Sequence, residues 1–225
     1  MNSMIIRVEA SPATGFGHAM RCLALAQAAS EDGWEAKMVY HACSDGILSR
    51  YRDAKVELIQ YNGEMHGKAD GEFVSGLRAD WVISDGYDFR ASFYKAALQH
   101  SRLMCIDDYG RPEVCIANAI LNQNPSAKSS WYTNRASSSH LFLGESFALL
   151  RREFRNSKQR VGREEIRKIL ITTGGGHKSD LPQLLVESVS SILPKSVSIM
   201  VILAKNEHYE SIGETFFNTS NVSCL

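Results

Sequence analysis

Gly15-Phe16-Gly17-His18, with Arg21 three residues further on, is the segment of this sequence best equipped for chemistry. It stands between a β-branched run, Met4 to Ala10, and an Ala- and Leu-rich helical run, Ala19 to Ser30. A helix beginning there offers unpaired N–H groups and the positive end of its dipole to an anion. The two glycines let a phosphate come close to the backbone. The same helix end disfavours an imidazolium, so His18 is expected to stay neutral and able to accept a proton. Arg21 shares its helix face. A cation at this end opposes the dipole, and becomes favourable beside a diphosphate or a carboxylate from another loop. A dinucleotide fingerprint would need glycine at position 20, which is Met, and an acidic residue ending the second strand, which reads Tyr40-His41-Ala42. NAD and FAD are therefore disfavoured.

Polar residues also follow later strand-like runs: Ser84-Asp85-Gly86-Tyr87-Asp88, Asp107-Asp108-Tyr109, and Asn122 with Asn124. Each alone suits a helix cap or an Asx turn. In a parallel sheet all of them share one carboxyl edge with His18, where open α/β folds bind ligands. Asp107 and Asp108 can hold a metal, or orient a histidine and a sugar hydroxyl. No His, Cys, Asp or Glu spacing is that of a known metal motif, so neither metal nor cofactor is expected. A second glycine turn, Thr173-Gly174-Gly175-Gly176-His177, follows the run Lys168 to Thr172. Two phosphate-type turns in successive α/β units suggest a nucleotide-sugar cleft between domains, with His177 a contact and not a catalyst.

The elements that must position these groups alternate along the chain. Strands are read at Ala36 to His41, Val56 to Gln60, Trp81 to Ser84, Leu103 to Ile106 and Ala119 to Leu121, with helical stretches near 44–52, 64–77 and 91–100. That alternation predicts βαβ crossovers and a parallel sheet. Gln123 to Ser139 reads as a surface loop, and Asn156 to Arg163 as a linker. The expected domains are 1–155, a Rossmann-like catalytic domain; 156–166, a linker; and 167–225, the start of a nucleotide-binding domain shorter than such domains usually are. The 225 residues carry 25 basic and 25 acidic side chains, a balance that argues against nucleic-acid partners. No run is long and apolar enough for a membrane helix, and the charged start around Arg7 disfavours export. Five cysteines without a C-x-x-C pair, three of them (Cys22, Cys105, Cys115) in apolar surroundings, read as cytoplasmic thiols.

Gly15-Phe16-Gly17-His18-Ala19-Met20-Arg21-Cys22-Leu23-Ala24-Leu25-Ala26 resembles the G-F-G-H-x-x-R-x-L-x-L-A signature of the UDP-2,4-diacetamido-2,4,6-trideoxy-β-L-altropyranose hydrolases of pseudaminic acid biosynthesis. These are relatives of spore-coat polysaccharide proteins and MurG-like glycosyltransferases. Asp107-Asp108 with Arg111, then Leu121-Asn122-Gln123-Asn124, is similar to the family's D-D…L-N-x-N segment, and Gly144 to Phe154 to its G-x-x-Y-A-L-L-R-x-E-F signature. Asp85-Gly86-Tyr87 stands where the family carries D-H-Y. The resemblance, over about residues 4–176, implies a GT-B architecture and hydrolysis of a UDP-linked diacetamido sugar. It implies His18 as general base or water-orienting group; Asp108 or Tyr87 is then placed to orient the sugar or the histidine. Gly15, Phe16, Gly17, Arg21, Asp85, Asp107, Asn122, Asn124, Gly174 and Gly175 would then contact substrate. The alternatives are a GT-B glycosyltransferase with a UDP-sugar donor, and a truncated binding remnant without turnover.

Overall fold

The computed structural model describes residues 2–10, 16–132, 139–155, 157, 162, 165–173, 181–202 and 221–224. They fall into two compact units that divide after residue 157.

The first unit contains β1 (Ser3–Val8), α1 (Gly17–Glu31), β2 (Glu35–Tyr40), α2 (Asp45–Asp53), β3 (Glu57–Gln60) and α3 (Lys68–Gly76). It continues with β4 (Trp81–Asp85), α4 (Ala91–Ala97), β5 (Arg102–Ile106), β6 (Ala119–Asn122), β7 (His140–Leu143) and α5 (Arg152–Arg155). The seven strands form one sheet in the order β3-β2-β1-β4-β5-β6-β7, every pair parallel. The order reverses between β1 and β4, where Val8 is level with Asp85. At such a switch point the following loops part and leave a crevice beyond the carboxyl ends.

Side chains alternate across the sheet. Ile5, Val82, Leu103 and Ile120 pack beneath α3 and α4, whereas Ile6, Val8, Ile83 and Ile106 pack beneath α1 and α2. Both faces are covered, which is why these strands read as apolar runs. Gly71 brings α3 hard against α4, since a Cβ there would lie 2.4 Å from the Phe93 carbonyl oxygen. Ala19, Ala26 and Ala29 do the equivalent for α1, and the Tyr51 hydroxyl from α2 donates to the Ala19 carbonyl at 2.7 Å.

Arg7 breaks the apolar rule inside β1. It is buried, and its Nε and Nη2 donate to the two carboxylate oxygens of buried Asp70 at 2.8 Å each. The Tyr61 and Phe89 rings flank the guanidinium. The segment read as a surface loop turns inward: a 3₁₀ turn at Ser129–Trp131 delivers Tyr132 into the core, and β7 then adds the edge strand beside β6.

In the second unit, β8 (Lys168–Thr172), α6 (Leu181–Ile192), β9 (Ser198–Ile202) and β10 (Val222–Cys224) give a parallel sheet in the order β10-β9-β8. Ile171, Val186, Ile199 and Val201 form its core.

Removing one member of a buried ion pair leaves the other charge uncompensated. Asp70→Ala is therefore expected to lower the unfolding free energy by about 3–5 kcal/mol in urea titrations. A loss under about 1 kcal/mol, the size of a surface pair, would contradict this account of Arg7.

Candidate active site

The ends of β1, β4, β5 and β6, the start of α1 and the loop before α3 build a single polar cluster. Tyr87, two residues past β4, is its centre. Its hydroxyl donates to Asp108 Oδ2 at 2.8 Å, and its backbone amide donates to Glu9 Oε2 at 2.9 Å. Its carbonyl accepts from Arg111 Nη1 at 2.9 Å. The His18 ring meets the Tyr87 ring edge-on with centroids 4.6 Å apart, and Tyr109 lies on another side at 5.4 Å. Burial and the bond to Asp108 both push the phenol up from its usual range, so it stays protonated and donates.

His18 is the second residue of α1, which has no side-chain cap. The residue is 7% exposed, and among the described residues its Nδ1 has no hydrogen-bond partner. A buried, unengaged imidazole nitrogen beside polar groups is uncommon in a structural histidine. Phe16 stands at the helix start and Gly17 opens the helix, with free space where a Cβ would point.

Arg21 answers the question its position raised. Its Nε and Nη2 hold the two oxygens of Asp85 at 2.6 Å each, and Nη1 and Nη2 hold Asp108 at 2.8 and 3.0 Å. Carboxylates, not a diphosphate, satisfy this cation. Asp85 is fully buried and also accepts from the Cys22 thiol at 3.4 Å. Burial and the Asp85 charge push that thiol well up, so it is not a nucleophile. Asp108 also accepts from Asn124 Nδ2 at 3.2 Å. Burial opposes its ionisation, but donors from Arg21, Tyr87 and Asn124 outweigh this and hold the carboxyl below its usual range.

A second buried network lies one strand over. Asp107 accepts from Arg111 Nε at 2.9 Å, the Gly110 amide at 2.6 Å and the Tyr132 hydroxyl at 2.7 Å. Asn122 Nδ2 donates to the Tyr132 hydroxyl at 3.1 Å, and Asn122 Oδ1 accepts from the Asn124 amide at 3.1 Å. Asp85, Asp107 and Asn122 are all fully buried. Their polar atoms hold other residues in place. Arg21, open in the sequence between a diphosphate and a carboxylate, clamps the loops after β4 and β5. Tyr87 is exposed and Asp108 and Asn124 are half-buried, whereas His18 is buried behind the Tyr87 ring. Gly15, Gly174, Gly175 and His177 lie outside the described residues.

Glu9, His66 and Tyr132 were not singled out by the sequence. Glu9 follows β1 directly, and its amide donates to the Asp85 carbonyl at 2.9 Å. His66 Nε2 touches Glu9 Oε1. Burial raises the Glu9 carboxyl, but the hydrogen bonds it accepts from His66 and the Tyr87 amide outweigh this and leave it below the usual range. Polar Glu9 at the end of an apolar strand was the available signal. A Cβ at Gly86 would lie 2.5 Å from Glu9 Oε2, so the glutamate fills the space that a larger residue at 86 would need.

No family model and no curated protein matches this sequence. Solved structures do, each over the whole chain. A putative UDP-N-acetylglucosamine 2-epimerase from Listeria monocytogenes is 12% identical with a TM-score of 0.66, and the chain covers 69% of it. S. aureus MnaA, solved with UDP, is 12% identical with a TM-score of 0.62, again with 69% covered. MurG from Acinetobacter baumannii is 12% identical with a TM-score of 0.59 and 67% covered. The likeness is one of fold. This is an α/β chain of the GT-B type.

A carboxyl held below its ordinary value stabilises the fold above that value and loses the contribution as pH falls through the folded one. Unfolding free energy is thus expected to drop below about pH 4. Asp108→Asn, followed by denaturant titration between pH 2 and 7, is expected to show a shallower drop; an unchanged profile would contradict the clamp.

Proposed function

We propose that this chain hydrolyses a UDP-linked 2,4-diacetamido-2,4,6-trideoxy sugar, releasing free sugar and UDP, as a step of pseudaminic acid biosynthesis. The observation that carries the reading is the buried His18 imidazole at the start of α1, with Nδ1 unengaged among the described residues and its ring against Tyr87. The signature around His18 supports the family, and the fold likeness to enzymes named for UDP-sugars supports the substrate class.

Water attacks the anomeric carbon and forms the new C–O bond while His18 takes its proton. The bond from that carbon to the diphosphate oxygen breaks, and its electron pair leaves with UDP. Diphosphate is a good leaving group, so the poor partner is water, which needs a base near neutral pH. Tyr87, fixed through its hydroxyl, amide and carbonyl, offers its phenol oxygen as an acceptor to a sugar hydroxyl and its ring as a wall for the imidazole. Asp108 keeps Tyr87 and Arg21 in register. Asn124, tied to Asp108, is a further contact for the sugar. Arg21 is already neutralised, so the growing diphosphate charge falls to the α1 amino end at Gly17.

A glycosyltransferase is the second reading, favoured by the fold likeness to MurG. It would use the same base on an acceptor hydroxyl. Incubation with the UDP-sugar and no acceptor separates the two, because only the hydrolase releases sugar at full rate. Absence of UDP binding by calorimetry would instead favour a remnant without turnover.

His18→Asn is expected to keep its circular dichroism spectrum and lose about 10²–10⁴-fold in kcat; turnover at the parent rate would remove His18 from the mechanism. In ¹⁸O-labelled water the label is expected in the sugar. Label in the nucleotide would mean attack at phosphorus.

A further inference from the structure

We infer that His66 is a positioning residue for the reaction proposed above: through Glu9 it fixes the Tyr87 main chain, and with it the ring that stands against His18. Its part in turnover rests on that reading, whereas its hold on Tyr87 does not.

The backbone marks His66 first. Among the described residues, Lys55, His66 and Arg78 are the non-glycine positions with positive φ. Lys55 and Arg78 each stand two residues past a helix, α2 and α3, where a left-handed residue commonly ends the helix. His66 follows no helix; it stands two residues before α3, at φ 68°. A residue with a side chain keeps that conformation at a cost, and only where its surroundings over-determine it. Here they do. The His66 amide donates to Asp70 Oδ2 at 2.9 Å, and its carbonyl accepts the Arg90 amide at 2.9 Å. Its ring meets Phe89 edge-on with centroids 5.2 Å apart. Asp70 and Phe89 are themselves the partners of buried Arg7.

This conformation gives the imidazole its direction. Nε2 is paired with Glu9 Oε1, and the other oxygen of that carboxylate accepts the Tyr87 amide at 2.9 Å. A carboxylate held at one oxygen still pivots; held at both, it has one orientation. Tyr87 then sets its ring 4.6 Å from that of His18. Arg7, Asp70, His66, Glu9 and Tyr87 thus form one line from the core ion pair to the site. A misplacement of about 1 Å at a reacting group costs up to about 10²-fold in rate, so a hold of this kind is felt in turnover without touching substrate.

The test compares His66→Phe, which keeps a flat ring for Phe89 but has no donor, with His66→Gln, whose amide nitrogen donates from the place of Nε2. In NMR spectra His66→Phe is expected to keep the dispersed core resonances while shifting the Tyr87 amide and the His18 ring protons, which lie in the Tyr87 ring current. His66→Gln is expected to return both to their parent positions. The kcat for the UDP-sugar is expected to fall by up to about 10²-fold in His66→Phe and to recover in His66→Gln. Glu9→Ala breaks the same line from its other end, so it is expected to move the His18 resonances as far, and the double variant to add little. Unmoved resonances in His66→Phe, no recovery in His66→Gln, or additive effects in the double variant would overturn the role. If His66→Phe does not fold, unmoved His18 resonances in Glu9→Ala would do so. A parent chain without turnover would instead remove the hydrolysis, and the resonances alone would decide the role of His66.

Discussion

One guanidinium shared by two carboxylates organises this half of the molecule. Arg21 is the fifth residue of α1, near the helix end whose dipole opposes a cation, and two anions from adjacent strands overcome that opposition. The arrangement joins α1 to the loops after β4 and β5 at the point where strand order reverses. Asp85 gives up all solvent contact to make its half of the bond, and Asp108 keeps one side for Tyr87 and Asn124. Each removal therefore has two effects: a lost pair, and a neighbour left with the wrong charge.

Tyr87 is the second fixed point, and what fixes it is largely main chain. Its amide and carbonyl are held by Glu9 and Arg111, so the ring's place is set before its hydroxyl meets Asp108. The neighbouring Asp107 network works in the same way one layer deeper. There a buried carboxylate collects an arginine, an amide and a phenol. The cluster thus has a fully buried inner set, Asp85, Asp107 and Asn122, and an outer set that includes exposed Tyr87.

Much of this was legible in the sequence. Apolar runs of β-branched residues alternating with helical spacing specify a parallel sheet with both faces covered, and the structure has one. The strand-end pattern brought His18, Tyr87, Asp108 and Asn124 to one edge correctly, because parallel topology requires it. It could not separate Asp85, Asp107 and Asn122, buried as braces, from the residues beside them, since depth at a strand end depends on neighbouring loops. Arg21 was left open between a diphosphate and a carboxylate, and only the folded β4 and β5 loops decide it. Tyr132 was hidden in a serine-rich stretch whose polarity signals solvent, although one aromatic in it is core. His66 and Glu9 stand 57 positions apart, a separation across which spacing carries no information.

The close approach at Gly86 ties the bulk allowed at that position to the placement of Tyr87. Any side chain at 86 would have to push aside the Glu9 carboxylate, and that carboxylate accepts the Tyr87 amide. Two residues far apart in the chain thus share one small volume, and the ring beside His18 is held from behind by what fills it.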